Sequence, residues 1–229
     1  MGDLGEERFT WLLRQRSIPY EGEEGLQKHI TVHRRRPDFY AVPTGLPPFL
    51  AEVEGFKKSG PLQKARARVY ATGPEQMLPR LRTAVQHGAS QLKPYRNHGI
   101  PMIVVLDNSG RVGIALGVIE LINLLGIQEI RLLIDLETGG RVSPPHMKGS
   151  EESFHVLTPK NNRHVSAVAV NLPKQGHQHI DPPEKERPMR LRVLHNPYAQ
   201  IPFPLGIFND PEDDHFGLFE GQWINIRTN

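Results

Sequence analysis

The sequence predicts an α/β fold of the mixed α+β kind, a central mixed β-sheet flanked by helices, and three observations predict it. Two segments carry apolar residues at helical spacing: Leu4, Phe9, Leu12 and Leu13, then Leu78, Leu81, Val85, Ala89 and Leu92. Between them PDFYAV and FLAEVEGF are short β-prone runs joined by PTGLPP, a turn composition, so they read as a hairpin. Directly after the second helical segment, IPMIVVLDN is an unbroken apolar run, the pattern of a parallel strand buried on both faces.

The elements follow in order. GEERFTWLLRQRS is the first helix, with Asp3 as N-cap and Glu6 three residues on. IPYEGE is a short extended piece, and KHITVH alternates as a strand running to Pro37 and on through PDFYAV. After the FLAEVEGF strand, SGPLQKARARVYA opens on serine and proline as a short helix, and MLPRLRTAVQHGASQL forms the next. GVIELINLLG reads as a helix and IQEIRLLIDLETGG as a strand ending in a turn. In outline residues 1–140 are αβββααβ. Residues 141–229 form a β-rich, proline-rich extension packed on the same body, with strands at HVSAVAVNL and MRLRVLH separated by the polar loop PKQGHQHIDPPEKERP.

Composition narrows the function. In 229 residues there is no cysteine, which removes disulfides and thiolate metal sites and suits a reducing, cytoplasmic setting. No apolar stretch approaches the ~18 residues of a membrane span. The opening MGDLGEERF offers no basic leader before an apolar core, so no signal peptide is expected. Net charge is only +3, but basic residues crowd the first hundred positions: Arg34, Arg35, Arg36, Lys57, Lys58, Lys64, Arg66, Arg68, Arg80 and Arg82. That clustering points to an anionic polymer such as DNA. No GxxxxGK[ST] loop marks an ATPase, and His177 and His179 sit in a polar loop without a third ligand nearby.

The chemistry-bearing feature is an acidic pair inside an apolar strand. Side chains at i and i+2 of a strand share a face, so Leu50, Glu52 and Glu54 point one way and Phe49, Ala51 and Val53 the other. Two carboxylates ~7 Å apart on one face repel each other and lose hydration on burial. They are tolerated where that face meets solvent, cations or a metal ion. The hairpin brings Asp38 beside Glu52, and oxygen ligands gathered in this way suit Mg²⁺, which takes one or two carboxylates and keeps several waters.

Pro37-Asp38, a gap, and Glu52-Val53-Glu54 together resemble the PD-(D/E)xK nuclease superfamily, whose restriction-endonuclease-like core is αβββαβ. Glu6 stands where that family often carries a glutamate in the first helix. Gln91-Leu92-Lys93-Pro94-Tyr95 is similar to the Q-x-x-x-Y motif of its RecB-like branch. The resemblance covers residues 3 to about 107. It implies a Mg²⁺- or Mn²⁺-dependent deoxyribonuclease in which Asp38, Glu52 and Glu6 hold the metal, with Glu54 and Gln91 completing the catalytic set. Arg34, Arg35, Arg36, Lys57, Lys58 and Tyr95 would meet the nucleic acid. A homodimer is one assembly it leaves open.

Two positions depart from the family pattern. The motif lysine is replaced by Glu54; Lys57 has the wrong strand parity to stand in, and Lys58 lies ~13 Å further along an ideal strand. Pro94 inside Q-x-x-x-Y disfavours helical geometry at Lys93. An inactive relative that binds nucleic acid or a protein partner is therefore the alternative, with a mixed α/β enzyme for a small phosphorylated substrate as a third reading.

Overall fold

A computed structural model describes residues 4–31, 34–55, 74–107, 121–125, 127–131, 146–149, 156–174, 186, 188–219 and 222–226. Helix α1 is Leu4–Gln15 and buries Arg8, Phe9, Leu12 and Leu13, the face its apolar spacing marks. Glu6 and Glu7 occupy its first turn, where carboxylates favour the helix N-terminus. Three antiparallel strands follow: β1 Tyr20–Gly22, β2 Phe39–Ala41 and β3 Phe49–Gly55. Helix α2, Pro74–Leu92, then crosses over to β4, Met102–Asp107, which pairs in parallel with β3.

Four further strands extend the same sheet. They are β7 Ala167–Pro173, β8 Met189–His195, β9 Asp214–Phe219 and β10 Gln222–Asn225, and the eight-stranded order is β1-β2-β3-β4-β7-β8-β9-β10. Strands β5, Ile127–Arg131, and β6, His146–Gly149, form a separate antiparallel pair. The fold is α/β with a mixed sheet, as the sequence predicts. The segment 197–213, rich in proline, is irregular cover that lays Phe203 and Phe208 over Phe49.

Alternation along β3 and β4 divides the core in two. Leu50, Val104 and Leu106 pack beneath α2 with Leu81, Val85 and Leu92. Ala51, Val53, Ile103 and Val105 pack beneath α1 with Phe9, Leu12 and Leu13. Both helices come close because glycine faces the sheet. A Cβ on Gly5 would stand 3.0 Å from Asp107 Cβ, and one on Gly88 would stand 2.8 Å from Val104 Cγ1. Where α1 crosses β4, the buried guanidinium of Arg8 donates to Asp107 Oδ2 at 2.7 Å.

One expectation is overturned. Residues 28–31 of KHITVH are not the strand that their alternation suggests: Leu26–Lys28 is a 3₁₀ turn, and residues 29–31 carry no ladder. The backbone N–H groups of His29 and Ile30 both turn back to Leu26 O, while Leu26 is buried and the His29 ring stacks on Tyr40. The strand beside β2 is instead YEG, the short extended piece, with Tyr20 opposite Ala41. Pro94 does end the α-helix, but gently, since Lys93–Tyr95 continues α2 as a 3₁₀ turn. The expected helix over SGPLQKARARVYA, Lys57 and Lys58, Asp3, His177 and His179, and residues 117–120 and 126 of GVIELINLLG lie outside the described residues.

Candidate carboxylate cleft

The cleft forms where β2 stops pairing with β3. Phe39 is opposite Ala51, so one step further along the ladder Asp38 stands opposite Glu52. There the backbone pairing is replaced by a side chain: the Val53 N–H donates to Asp38 Oδ2 at 2.7 Å. That bond fixes the Asp38 carboxylate at the mouth of the strand pair. Glu52 is 6% exposed, and its Oε2 is buried with no hydrogen-bond partner. An orphaned carboxylate oxygen at that depth costs on the order of 1–3 kcal/mol or more unless a proton or cation meets it.

Electrostatics set the same demand. Burial pushes the Glu52 carboxyl up to about 9, helped by the charges of Asp38 and Glu54 and opposed by the Asp38 backbone N–H. Burial likewise raises Asp38 to about 7 against the Val53 hydrogen bond, with Glu6, Glu54 and Glu23 adding repulsion. The four expected carboxylates, Glu6, Asp38, Glu52 and Glu54, thus lie within one another's fields. Glu23 joins them, and nothing in the sequence pattern marks it.

A cleft of about 500 Å³ opens beside Asp38, with Glu6, Trp11, Arg14, Tyr20 and Glu23 in its walls. Arg14 Nε donates to the Tyr20 hydroxyl at 3.1 Å. No lysine lines this cleft among the described residues. Among the same residues no three His, Asp or Glu side chains are grouped so as to enclose an ion. A cation here would therefore rest on the Asp38–Glu52 pair and water, the usual manner of Mg²⁺. Glu6 reaches the pair from the cleft wall by its charge. The donor set fits a hard divalent cation: oxygen only, one oxygen unpartnered, and both carboxyls resisting ionisation for want of positive charge.

On the α2 side, Glu54 Oε1 lies 2.5 Å from His87 Nδ1, and the His87 side chain is otherwise largely exposed. Where the family pattern has a lysine, this chain thus has a carboxylate joined to an imidazole. The sequence offers one faint signal for it, since His87 is one helical turn before Gln91. Helix α2 joins β3 to a strand parallel with it and so runs back along β3. The turn after His87 therefore brings Gln91 level with Glu52, and Gln91 Oε1 is also buried without a hydrogen-bond partner.

The basic residues divide. Arg34 and Arg35 line a cavity of about 580 Å³ with Lys93 and Arg96. Arg36 turns away to Glu23 at 3.8 Å. The Tyr95 ring is fully buried in the core. Its hydroxyl donates to Arg35 O at 2.8 Å, and Arg35 in turn donates to Ser90 O at 3.1 Å. Tyr95 thus positions the segment that runs three residues from Arg35 to Asp38, a span of at most ~11 Å.

Compared with protein-family models, with curated proteins and with solved structures, the chain matches none.

Proposed function

We propose that this protein is a nuclease that hydrolyses phosphodiester bonds of DNA with Mg²⁺ or Mn²⁺. The observation that carries the reading is the Asp38–Glu52 pair: buried, mutually repelling, with Glu52 Oε2 unpartnered, at the edge of a cleft a few residues from a basic cavity. An acidic cleft of this kind repels a phosphodiester unless a cation intervenes. Asp38 and Glu52 would hold that cation, which supplies a polarised phosphate oxygen and a bound water of lowered pKa.

The chain's own residues do the rest. The Val53 N–H keeps Asp38 in the rotamer that faces Glu52. Glu54 orients His87 through Nδ1, and this carboxylate–imidazole pair on the α2 side would take the place that family members give to lysine. Gln91, level with Glu52, offers an amide to the bound backbone. Arg34 and Arg35 offset phosphate charge beside the cleft.

The test is cleavage of plasmid and linear DNA with Mg²⁺, with Mn²⁺ and with EDTA. Cleavage should require the metal and fall by at least about a hundredfold in Asp38→Asn and in Glu52→Gln, since even outer-shell changes at metal sites cost 10–100-fold. The replacement of the motif lysine by Glu54 favours a second reading, an inactive relative that binds nucleic acid. Salt-sensitive DNA binding with no cleavage under either metal would establish that reading in place of the first.

A further inference from the structure

The cavity lined by Arg34 and Arg35 does not end at α2. Lys93, on the 3₁₀ continuation of that helix, and Arg96, which caps it, form one of its walls. They also wall a second cavity of about 370 Å³, whose far side carries Lys160, Arg163 and Gln200. The two cavities share a ridge of two cations, and no carboxylate lines either one among the described residues. The charges of Lys93 and Arg96 both bear on His164, which lies on the same loop as Lys160 and Arg163.

The far wall is built rigidly. Thr158 Oγ1 accepts from the N–H groups of Lys160 and Asn161, and Asn162 holds a left-handed φ of 53° while its amide donates to Val156 O at 2.8 Å. His164 Nε2 stands 2.8 Å from Ala89 O, which pins this loop to α2. Arg163 Nε donates to Tyr198 O at 3.3 Å, holding one edge of that guanidinium in place.

Charge pairing elsewhere makes the contrast. Arg8, Arg16, Lys28, Arg36, Lys174, Arg190 and Arg192 all meet carboxylates. Arg34, Arg35, Lys93, Arg96, Lys160 and Arg163 meet none among the described residues. Six like charges gathered without counter-charge repel one another, a cost that an external polyanion would offset.

We propose that Arg34, Arg35, Lys93, Arg96, Lys160 and Arg163 form a continuous track for the phosphodiester backbone of a nucleic-acid strand, leading from the carboxylate cleft over the end of α2 to the 158–164 loop. Cations that line two linked concavities, with no carboxylate between them among the described residues, match a polymer of anions. The track rests on the nuclease reading for the direction in which the strand leaves the cleft, but its binding is measured apart from cleavage.

The experiment uses the full chain in EDTA with a fluorescent single-stranded oligonucleotide of about 20 nucleotides, long enough to pass both cavities. Lys93→Ala with Arg96→Ala should weaken binding by roughly tenfold or more at near-physiological salt, and each alanine should lower the salt slope by about 0.7. Arg163→Ala, remote from the cleft, should act in the same direction, whereas Lys28→Ala, whose charge is paired with Glu21 at 3.5 Å, should not. Unchanged affinity and slope in both track variants would overturn the proposal. So would equal competition by phosphatidylserine vesicles or polyglutamate, which would assign the surface to a membrane or an acidic protein. If no metal supports cleavage while the track variants lose binding, the nuclease reading fails and the track stands. If DNA is cut but the variants bind normally, the track fails and the nuclease reading stands.

Discussion

Glu52 is the residue on which the account turns, because the strand that carries it is otherwise core. Leu50 and Val104 surround its base and α2 covers its face, so its charge has no solvent to retreat to. In metal-free protein Asp38 and Glu52 hold protons that the unfolded chain releases near pH 4, since their folded values lie near 7 and 9. The folded state therefore binds more protons across that window, and stability falls as pH rises through it, by up to about 1.4 kcal/mol per pH unit for each group. Asp38→Asn removes one of these groups and relieves the repulsion on the other. Thermal unfolding followed in EDTA from about pH 6.5 to about pH 9, where the buried histidines no longer contribute, should show a declining midpoint in wild type and a flatter profile in Asp38→Asn. A wild-type midpoint that rises across this range would contradict the raised carboxyls.

At the scale of elements, the approach of α2 to β3 and β4 sets how Glu54 meets His87. Gly88 sits at that contact, with Val104 Cγ1 2.8 Å from where its Cβ would be and Glu54 Cγ at 3.4 Å. Gly88→Val should lift the helix and lower stability by about 1–3 kcal/mol in denaturant unfolding. An unchanged midpoint would mean that the helix is free to shift. The helices, β3 and β4 are legible in the sequence because their apolar spacing records which side meets the core. The Asp38–Glu52 pairing is legible too, because a hairpin's register follows from its turn. KHITVH is not legible, since its alternation belongs equally to a coiled connection whose anchor, Leu26, precedes it. Nor are the Glu54–His87 contact, the burial of Tyr95 behind Pro94, or the meeting of Lys93 with Arg163. Each depends on where one element lands on another, which no local pattern encodes.

At the scale of the molecule, strands β7 to β10 complete the sheet, and Asp213 locks it to the end of α1. Arg16 donates to both oxygens of Asp213, at 2.7 and 3.0 Å, and Asp213 Oδ1 accepts the Leu191 N–H at 2.7 Å. Within this half His195 and His215 share a contact of 2.9 Å, and His215 Nε2 donates to Phe208 O at 2.6 Å. Burial and then His215 depress His195 to about 4, and burial depresses His215. For a lowered imidazole the unfolded chain takes the proton first, so stability is full above about pH 6.5 and drains as pH falls toward 4. The two pairs thus oppose each other in acid, and the carboxylates alone act above pH 6.5. Saturating Mg²⁺ should abolish the alkaline decline in stability and leave the acid limb in place, as read by chemical denaturation at several pH values. A cation that shifts both limbs equally would place its site elsewhere.

The central claim, that Asp38 and Glu52 together hold a divalent cation, is tested most directly by calorimetric titration of Mn²⁺ near neutral pH in two buffers of different ionisation enthalpy. The account predicts binding that releases protons to the buffer and vanishes in Glu52→Gln. Absence of binding, or binding that the Glu52→Gln protein retains in full, would contradict it.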